Sequence, residues 1–120
     1  MPRVHLTRRA LLDIDQIERY SVERWGQRVA DTYLDGLNAA LQRLEESPDL
    51  LRERPDQSLL LHFYSVQQHV LVADVVGERI YILCVWHGSM DLAGRVTDLE
   101  PQLIREAQVL HARLIAQGRS

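Results

Sequence analysis

The chain has 120 residues, 46% of them apolar, which fits one soluble globular domain and leaves no room for a second core. The single cysteine, Cys84, excludes an internal disulfide framework, and no apolar run approaches the roughly 20 residues that span a bilayer. All 14 basic residues are arginine, against 17 acidic ones, and the net charge of −3 weighs against a surface built to grip nucleic acid. No charged-then-apolar leader opens the chain, so we expect a cytoplasmic protein.

The N-terminal half predicts a short strand followed by a helical hairpin. Val4 to Leu6 form the strand, and Thr7 offers an N-cap for a helix that ends near Gly26. A second helix runs from about Arg28 to Glu46 and ends before a proline. Apolar residues recur at helical spacing along each helix: Leu11, Ile14, Ile17 and Tyr20 in the first, and Val29, Tyr33, Leu37, Leu41 and Leu44 in the second.

The middle of the chain predicts a loop and then a three-stranded antiparallel meander. Residues 48–57 are polar, contain two prolines and are predicted to be a loop. Three runs rich in Val, Leu, Ile and aromatic residues follow: Leu59 to Val66, His69 to Val76 and Arg79 to His87. Gly77 and Glu78 fit a two-residue turn between the last two strands.

Pairing across this turn predicts two apolar sheet faces. One face holds the pairs Val75–Ile80, Ala73–Ile82 and Leu71–Cys84; the other holds Asp74–Tyr81, Val72–Leu83 and Val70–Val85, with His87 next along. A helical hairpin covers one side of a sheet only. Either the C-terminus of the chain or a partner must therefore cover the other side.

The C-terminal segment predicts a further amphipathic helix. Asp98 can cap it, Pro101 falls in its first turn, and Gly118 follows its end near Gln117. Leu103, Ala107, Leu110 and Leu114 form its apolar face. The predicted fold is therefore α+β in a single domain over residues 1–120, with a core of about 3–95 and an additional helix over about 98–117.

No residue pattern predicts a metal or cofactor site. The five histidines, His5, His62, His69, His87 and His111, include no pair at a spacing of four residues, and there is no cysteine pair. His62 and His69 lie on adjacent predicted strands, but two ligands do not close a site. Cys84 is interpreted as a small core residue. His87, at the end of a strand, is the one histidine placed to act as an acid or base.

The order of elements and several local motifs resemble the RelE/ParE toxin superfamily of type II toxin–antitoxin modules. The likeness is greatest to the ParE branch, often described as plasmid-stabilisation proteins, and covers about residues 3–95. The most specific match is His87-Gly88-Ser89-Met90-Asp91 at the end of the last strand. Further matching positions are Leu11, Asp13, Ile17, Tyr20, Arg24-Trp25-Gly26, Ala30, Tyr33, Leu37, Leu41, Leu44, Pro48 and His69-Val70.

The RelE-like alternative is a ribosome-dependent mRNA endoribonuclease. Members of that branch use clustered Lys and Arg, sometimes with Glu and His, on the open sheet face. Here His87, Tyr64 and Arg95 are the fallback catalytic set, whereas Lys is absent and Arg79 lies at a hairpin tip. The missing cationic cluster disfavours RNA cleavage, which must stabilise charge on a phosphate.

The function that the sequence favours is ParE-like: a toxin that poisons DNA gyrase by binding, without catalysis, and arrests growth. The resemblance implies a hetero-oligomer with a cognate antitoxin, no cofactor, no membrane contact and no direct binding of nucleic acid. An inactive relative that acts only as a binding protein is a third possibility. Candidate residues for binding gyrase or the antitoxin lie on and after the last strand: Tyr81, Leu83, Val85, Trp86, His87, Met90 and Asp91.

Overall fold

A computed structural model describes residues 3–118 and has the α+β architecture expected from the sequence. The elements are β1 (Arg3–Leu6), α1 (Arg8–Trp25), α2 (Gln27–Glu46), β2 (Arg52–Arg54), β3 (Ser58–Val66), β4 (His69–Val76), β5 (Arg79–His87) and α3 (Leu92–Ala116). The strands form one sheet in the order β1-β5-β4-β3-β2, in which β1 runs parallel to β5 and all other pairs are antiparallel. Helices cover both faces of this sheet.

Local signals fix the helical hairpin as predicted. The Thr7 hydroxyl accepts a hydrogen bond from the Ala10 N–H at 3.2 Å and donates one to the Leu83 carbonyl at 3.1 Å. Thr7 therefore both caps α1 and ties its start to β5. Gly26 has a φ of 91°, which ends α1 and turns the chain directly into α2.

The segment predicted to be a loop contains two short elements. Residues Pro48–Leu50 form a 3-10 turn, and Arg52–Arg54 form the edge strand β2, paired with β3. The loop prediction was wrong here because three charged residues carry no strand signal, while an edge strand with exposed side chains needs none.

The predicted pairing of β4 with β5 holds near the turn and fails beyond Ala73. A β-bulge shifts the register, so Val72 faces Cys84, Leu71 faces Val85, and Val70 faces Trp86. Cys84 consequently lies on the face opposite to the one predicted. The bulge follows Ile82, and both Leu83 and Cys84 pack into the same core.

Two hydrophobic cores lie on opposite faces of the sheet. The first lies under the helical hairpin and contains Leu37, Leu44, Leu71, Ile80, Ile82 and Val85. The second lies under α3 and contains Phe63, Tyr81, Leu83, Trp86, Val96 and Leu103. The sequence left open whether the C-terminus of the chain or a partner covers the second face of the sheet. In the structure, the C-terminal helix α3 covers it.

The start of α3 differs from the predicted one. The helix begins at Leu92, its N-cap is Asp91, and the Asp91 carboxylate accepts a hydrogen bond from the Gly94 N–H at 3.2 Å. Pro101 therefore lies inside a 25-residue helix and not in a first turn after Asp98. An aspartate shortly before a proline is a common signal for a helix start. Asp98 and Pro101 carry this signal inside a continuous helix, whereas the true start is at Asp91. Between residues 3 and 118, no helix is long and apolar enough to cross a membrane.

Candidate functional site

A cleft of about 590 Å³ lies where the helical hairpin, the ends of β4 and β5 and the start of α3 meet. α1 and α2 form one wall, and the residues after β5 form the other. The cleft combines titratable groups with apolar and aromatic ones: Asp13, Gln16, Ile17, Tyr20, Ser21, Trp25, Val29, Tyr33, Gln68, His69, Val85, Trp86, His87, Met90 and Arg95.

A tyrosine and two histidines form the polar centre of the cleft. The Tyr33 hydroxyl is hydrogen-bonded to Nδ1 of His69, and the His69 and His87 rings lie edge to face with centroids 5.3 Å apart. Burial lowers the pKa of His69, and the neighbouring His87 lowers it further. Burial also raises the pKa of Tyr33. A protonated phenol beside a neutral imidazole follows, so Tyr33 donates to His69.

The junction after β5 is built by its own side chains. His87 Nδ1 accepts a hydrogen bond from the Ser89 N–H at 3.1 Å, and the Ser89 hydroxyl lies 2.6 Å from the same nitrogen. The Met90 N–H donates to the His87 carbonyl, and Asp91 then caps α3. The motif that seemed functional in the sequence is thus first a strand-to-helix connection.

One carboxylate and one guanidinium complete the wall of the cleft. Asp13 accepts a hydrogen bond from the Val85 N–H at 3.0 Å, and burial raises the pKa of Asp13. β1 pairs with β5 only as far as Ile82, so within residues 3–118 no strand lies along this edge of β5 at Val85. The Arg95 guanidinium lies 5.9 Å from the Trp86 ring centroid, and its Nε contacts the Met90 sulfur at 3.4 Å.

The rim of the cleft is apolar and exposed. Tyr20 and Trp25 form an edge-to-face pair with centroids 5.7 Å apart, and each side chain is 55% exposed. Val29 lies beside them and is 47% exposed. Large exposed aromatic groups next to a concavity are typical of protein-binding surfaces.

The predicted binding residues are divided by the structure into buried and accessible groups. Tyr81 and Leu83 are fully buried under α3, and Val85 is buried under the helical hairpin. Helices cover the sheet faces that carry these three side chains. The prediction that they bind a partner assumed an open face. Val85 and Trp86 are buried by area but line the cleft together with His87 and Met90, while Asp91 is exposed as the cap of α3.

The three fallback catalytic residues do not come together. His87 and Arg95 line the same cleft, but Tyr64 lies outside it and accepts a hydrogen bond from Arg43. Among the described residues, Arg95 is the one arginine in the cleft lining. The histidine pair therefore faces a single cation, not a cluster.

Sequence reasoning did not select the site residues on the helical hairpin. Tyr33 entered as a position on the apolar face of the second helix and His69 as one of the histidines weighed for a metal site. Asp13 and Trp25 entered as positions of family resemblance. Their shared location depends on the packing of the hairpin against the sheet, which the spacing of residues along the chain does not reveal. The buried Tyr33 hydroxyl on an otherwise apolar helix face was the available signal, because such a group needs a partner.

His62 on β3 and His111 on α3 lie outside the cleft. His62 lies 3.9 Å from Glu53, and His111 is hydrogen-bonded to the Tyr81 hydroxyl, both away from His69. Over residues 3–118 no group of three or more His, Cys, Asp or Glu side chains is placed to hold a metal ion.

Residues 4–92 match the family model described as the ParE toxin of the type II toxin–antitoxin system parDE. The chain belongs to this ParE toxin family. It is 34% identical over 93 residues to Toxin ParE1 of Caulobacter vibrioides, covering 76% of this chain and 94% of the relative. Toxin ParE3 of the same organism is 32% identical over 96 residues, covering 80% of this chain and 96% of the relative.

A solved structure supports the same fold. The chromosomal ParDE toxin–antitoxin system from P. aeruginosa contains a chain that superposes with a TM-score of 0.64 at 20% identity, covering 72% of this chain and 96% of that one. The family match ends at Leu92, so it includes the cleft residues up to Met90 but excludes nearly all of α3.

Proposed function

We propose that this ParE toxin acts in the cytoplasm by binding DNA gyrase and blocking it, and that a cognate antitoxin neutralises it. Family membership and the resemblance to gyrase-poisoning toxins motivate the proposal. The observation that carries it is the composition of the cleft, which has an exposed aromatic rim and, among the residues that the structure describes, a single arginine.

The cleft is poorly suited to cleaving RNA. Phosphodiester cleavage needs a base, an acid and cations that stabilise the charge developing on the phosphate. His69 and His87 could exchange protons, but Arg95 is the single arginine of the described lining and already contacts Trp86 and Met90. Tyr64 lies outside the cleft. These features favour binding over catalysis.

The rim is suited to recognising a protein. Tyr20 and Trp25 provide rigid aromatic area at the mouth of a concavity, which is the usual composition of an interface hot spot. His87, Met90 and Asp91 continue this surface along the other wall and stay candidates for contacting gyrase or the antitoxin.

Expression in bacteria tests the proposal. Induction without the antitoxin, taken as the product of the adjacent reading frame, should arrest growth and leave plasmid DNA relaxed on a topology gel. Co-expression of that product should restore growth and supercoiling. Arrest with normal plasmid supercoiling and cleaved messenger RNA would instead support the ribonuclease, whereas unimpaired growth at high expression would support an inactive binding protein.

A further inference from the structure

A second groove, of about 690 Å³, lies between α1 and α3 and borders the cleft, with which it shares Asp13 and Gln16. Each wall is a stripe at four-residue spacing along one helix. Arg8, Leu12 and Gln16 line the α1 wall, and Arg105, Val109 and Arg113 line the α3 wall. The first and last residue of each stripe are eight positions apart, which is about 12 Å of helix, or a little over two turns.

An ion pair fixes the distance between the two walls. The Arg9 guanidinium donates two hydrogen bonds of 2.9 Å to the two carboxylate oxygens of Glu106. This paired geometry raises the pKa of Arg9 and lowers that of Glu106. The charges of these two residues therefore cancel at the groove floor.

The remaining charges of the groove are mostly positive and unpaired. Arg8, Arg105 and Arg113 are exposed, and in the stretch from residue 3 to residue 118 none of them forms an ion pair. Asp13, the other acid of the lining, has its carboxylate bonded to the Val85 N–H. A chain with a net charge of −3 thus presents a locally basic groove.

The groove is also apolar along both walls. Leu12 is 52% exposed and Val109 is 54% exposed, and both lie between polar groups of the stripes. Nucleic acid backbones need cations and gain little from exposed leucine and valine, whereas an amphipathic helix uses both. Charge and apolar area together fit an acidic amphipathic helix.

The position of the groove indicates which protein supplies this helix. The α3 wall lies beyond residue 92, where the family match ends. Two relatives occur in one organism, so toxins of this fold can coexist, and an antitoxin must distinguish its own toxin from a sister toxin. A surface outside the shared part of the fold provides that distinction.

We propose that the α1–α3 groove binds an acidic amphipathic helical segment of the cognate antitoxin and contributes to the choice of partner. This inference rests on the proposed neutralisation by an antitoxin. The three unpaired arginines attract the segment, while Leu12 and Val109 receive its apolar face.

The test measures the affinity of the full-length antitoxin, again the product of the adjacent reading frame, for purified full-length toxin variants. Arg105→Glu with Arg113→Glu should weaken binding about tenfold or more, because it places like charges opposite an acidic helix. Val109→Asp should weaken it too. The matched control, Arg28→Glu with Arg52→Glu, imposes the same charge change on exposed residues of α2 and β2 and should stay within about twofold. Circular dichroism checks that every variant is folded.

The outcomes distinguish failure of the groove proposal from failure of the proposed neutralisation. Equal affinity of the wild-type toxin and the Arg105/Arg113 variant would overturn the groove while leaving neutralisation intact, as would equal weakening by the control. Failure of the wild-type toxin to bind would refute neutralisation itself. If the groove variant instead lost affinity only for a duplex DNA fragment, the occupant would be nucleic acid and the proposal would be wrong.

Discussion

Asp13 shows how one residue links the helical hairpin to the sheet. Its carboxylate is the acceptor for the Val85 N–H, a backbone group of β5 beyond the point where the pairing with β1 ends at Ile82. An unsatisfied N–H in a partly buried place is costly, so an acidic residue on a helix face that otherwise looks solvated has a structural role here. The sequence did not predict this role, because it depends on where β1 ends beside β5 in the folded sheet.

Substitutions of Asp13 separate its hydrogen bond from its charge. Asp13→Ala leaves the Val85 N–H without an acceptor and should reduce the free energy of unfolding by about 1–3 kcal/mol. Asp13→Asn keeps a side-chain oxygen that can accept this hydrogen bond, but it removes the ionisable carboxyl group. Because the folded-state pKa of Asp13 lies above the ordinary 3.8, the wild type loses stability as pH rises through that window. The stability of Asp13→Asn relative to wild type should therefore increase from acidic to neutral pH in urea titrations, and a constant difference would contradict this.

His69 predicts the opposite dependence on pH. Its folded-state pKa lies below the ordinary 6.5 because it is buried and faces His87, so the unfolded chain binds a proton first as the solution is acidified. The stability that this histidine contributes is present above pH 6.5 and is lost as pH falls through its folded-state pKa. In urea unfolding, His69→Gln should lose less stability than wild type on acidification. Equal loss of stability on acidification in the variant and the wild type would contradict this.

At the scale of elements, α3 distinguishes this chain from its relatives. It lies beyond the family match yet forms one complete wall of a core, with Val96, Leu103 and Ala107 fully buried. The sheet face below it therefore depends on α3 for its burial. We infer that α3 is required for stability and is not an appended tail.

Paired substitutions on the two sides of α3 test this role. Leu103→Ala, at a fully buried site, should reduce the free energy of unfolding by about 2–5 kcal/mol. Val109→Ala, on the exposed side, should change it by less than about 0.5 kcal/mol. Thermal and urea unfolding measure both. Equal effects, or a truncation after Thr97 that keeps the melting temperature, would show that α3 is not part of the core.

Helices and turns were predictable from the sequence because their signals are local, whereas the register of β5 was not. Helical periodicity, Thr7, Gly26 and the Gly77–Glu78 turn are local features, and the structure confirms what they predicted. The bulge at Leu83–Cys84 is decided by packing on both faces of β5, since either register places apolar residues inward. A strand that is apolar on both sides therefore does not specify its own register.

At the scale of the molecule, the distribution of arginine matters more than the net charge. The net charge of −3 argued against nucleic acid, and of the arginines between residues 3 and 118 Arg95 alone lines the cleft beside His87. The unpaired arginines of the second groove lie instead between α1 and α3. Neither composition nor spacing along the chain could predict this separation, since residues 8 and 113 meet only through the fold.

The central claim is that this toxin acts by binding a protein and not by breaking RNA. The most direct measurement adds purified toxin, freed from its antitoxin, to DNA gyrase with relaxed plasmid and ATP, and to translating ribosomes in a parallel reaction. The account predicts dose-dependent loss of supercoiling, reversed by added antitoxin, and intact messenger RNA. Undiminished supercoiling together with site-specific cleavage of the messenger would contradict it.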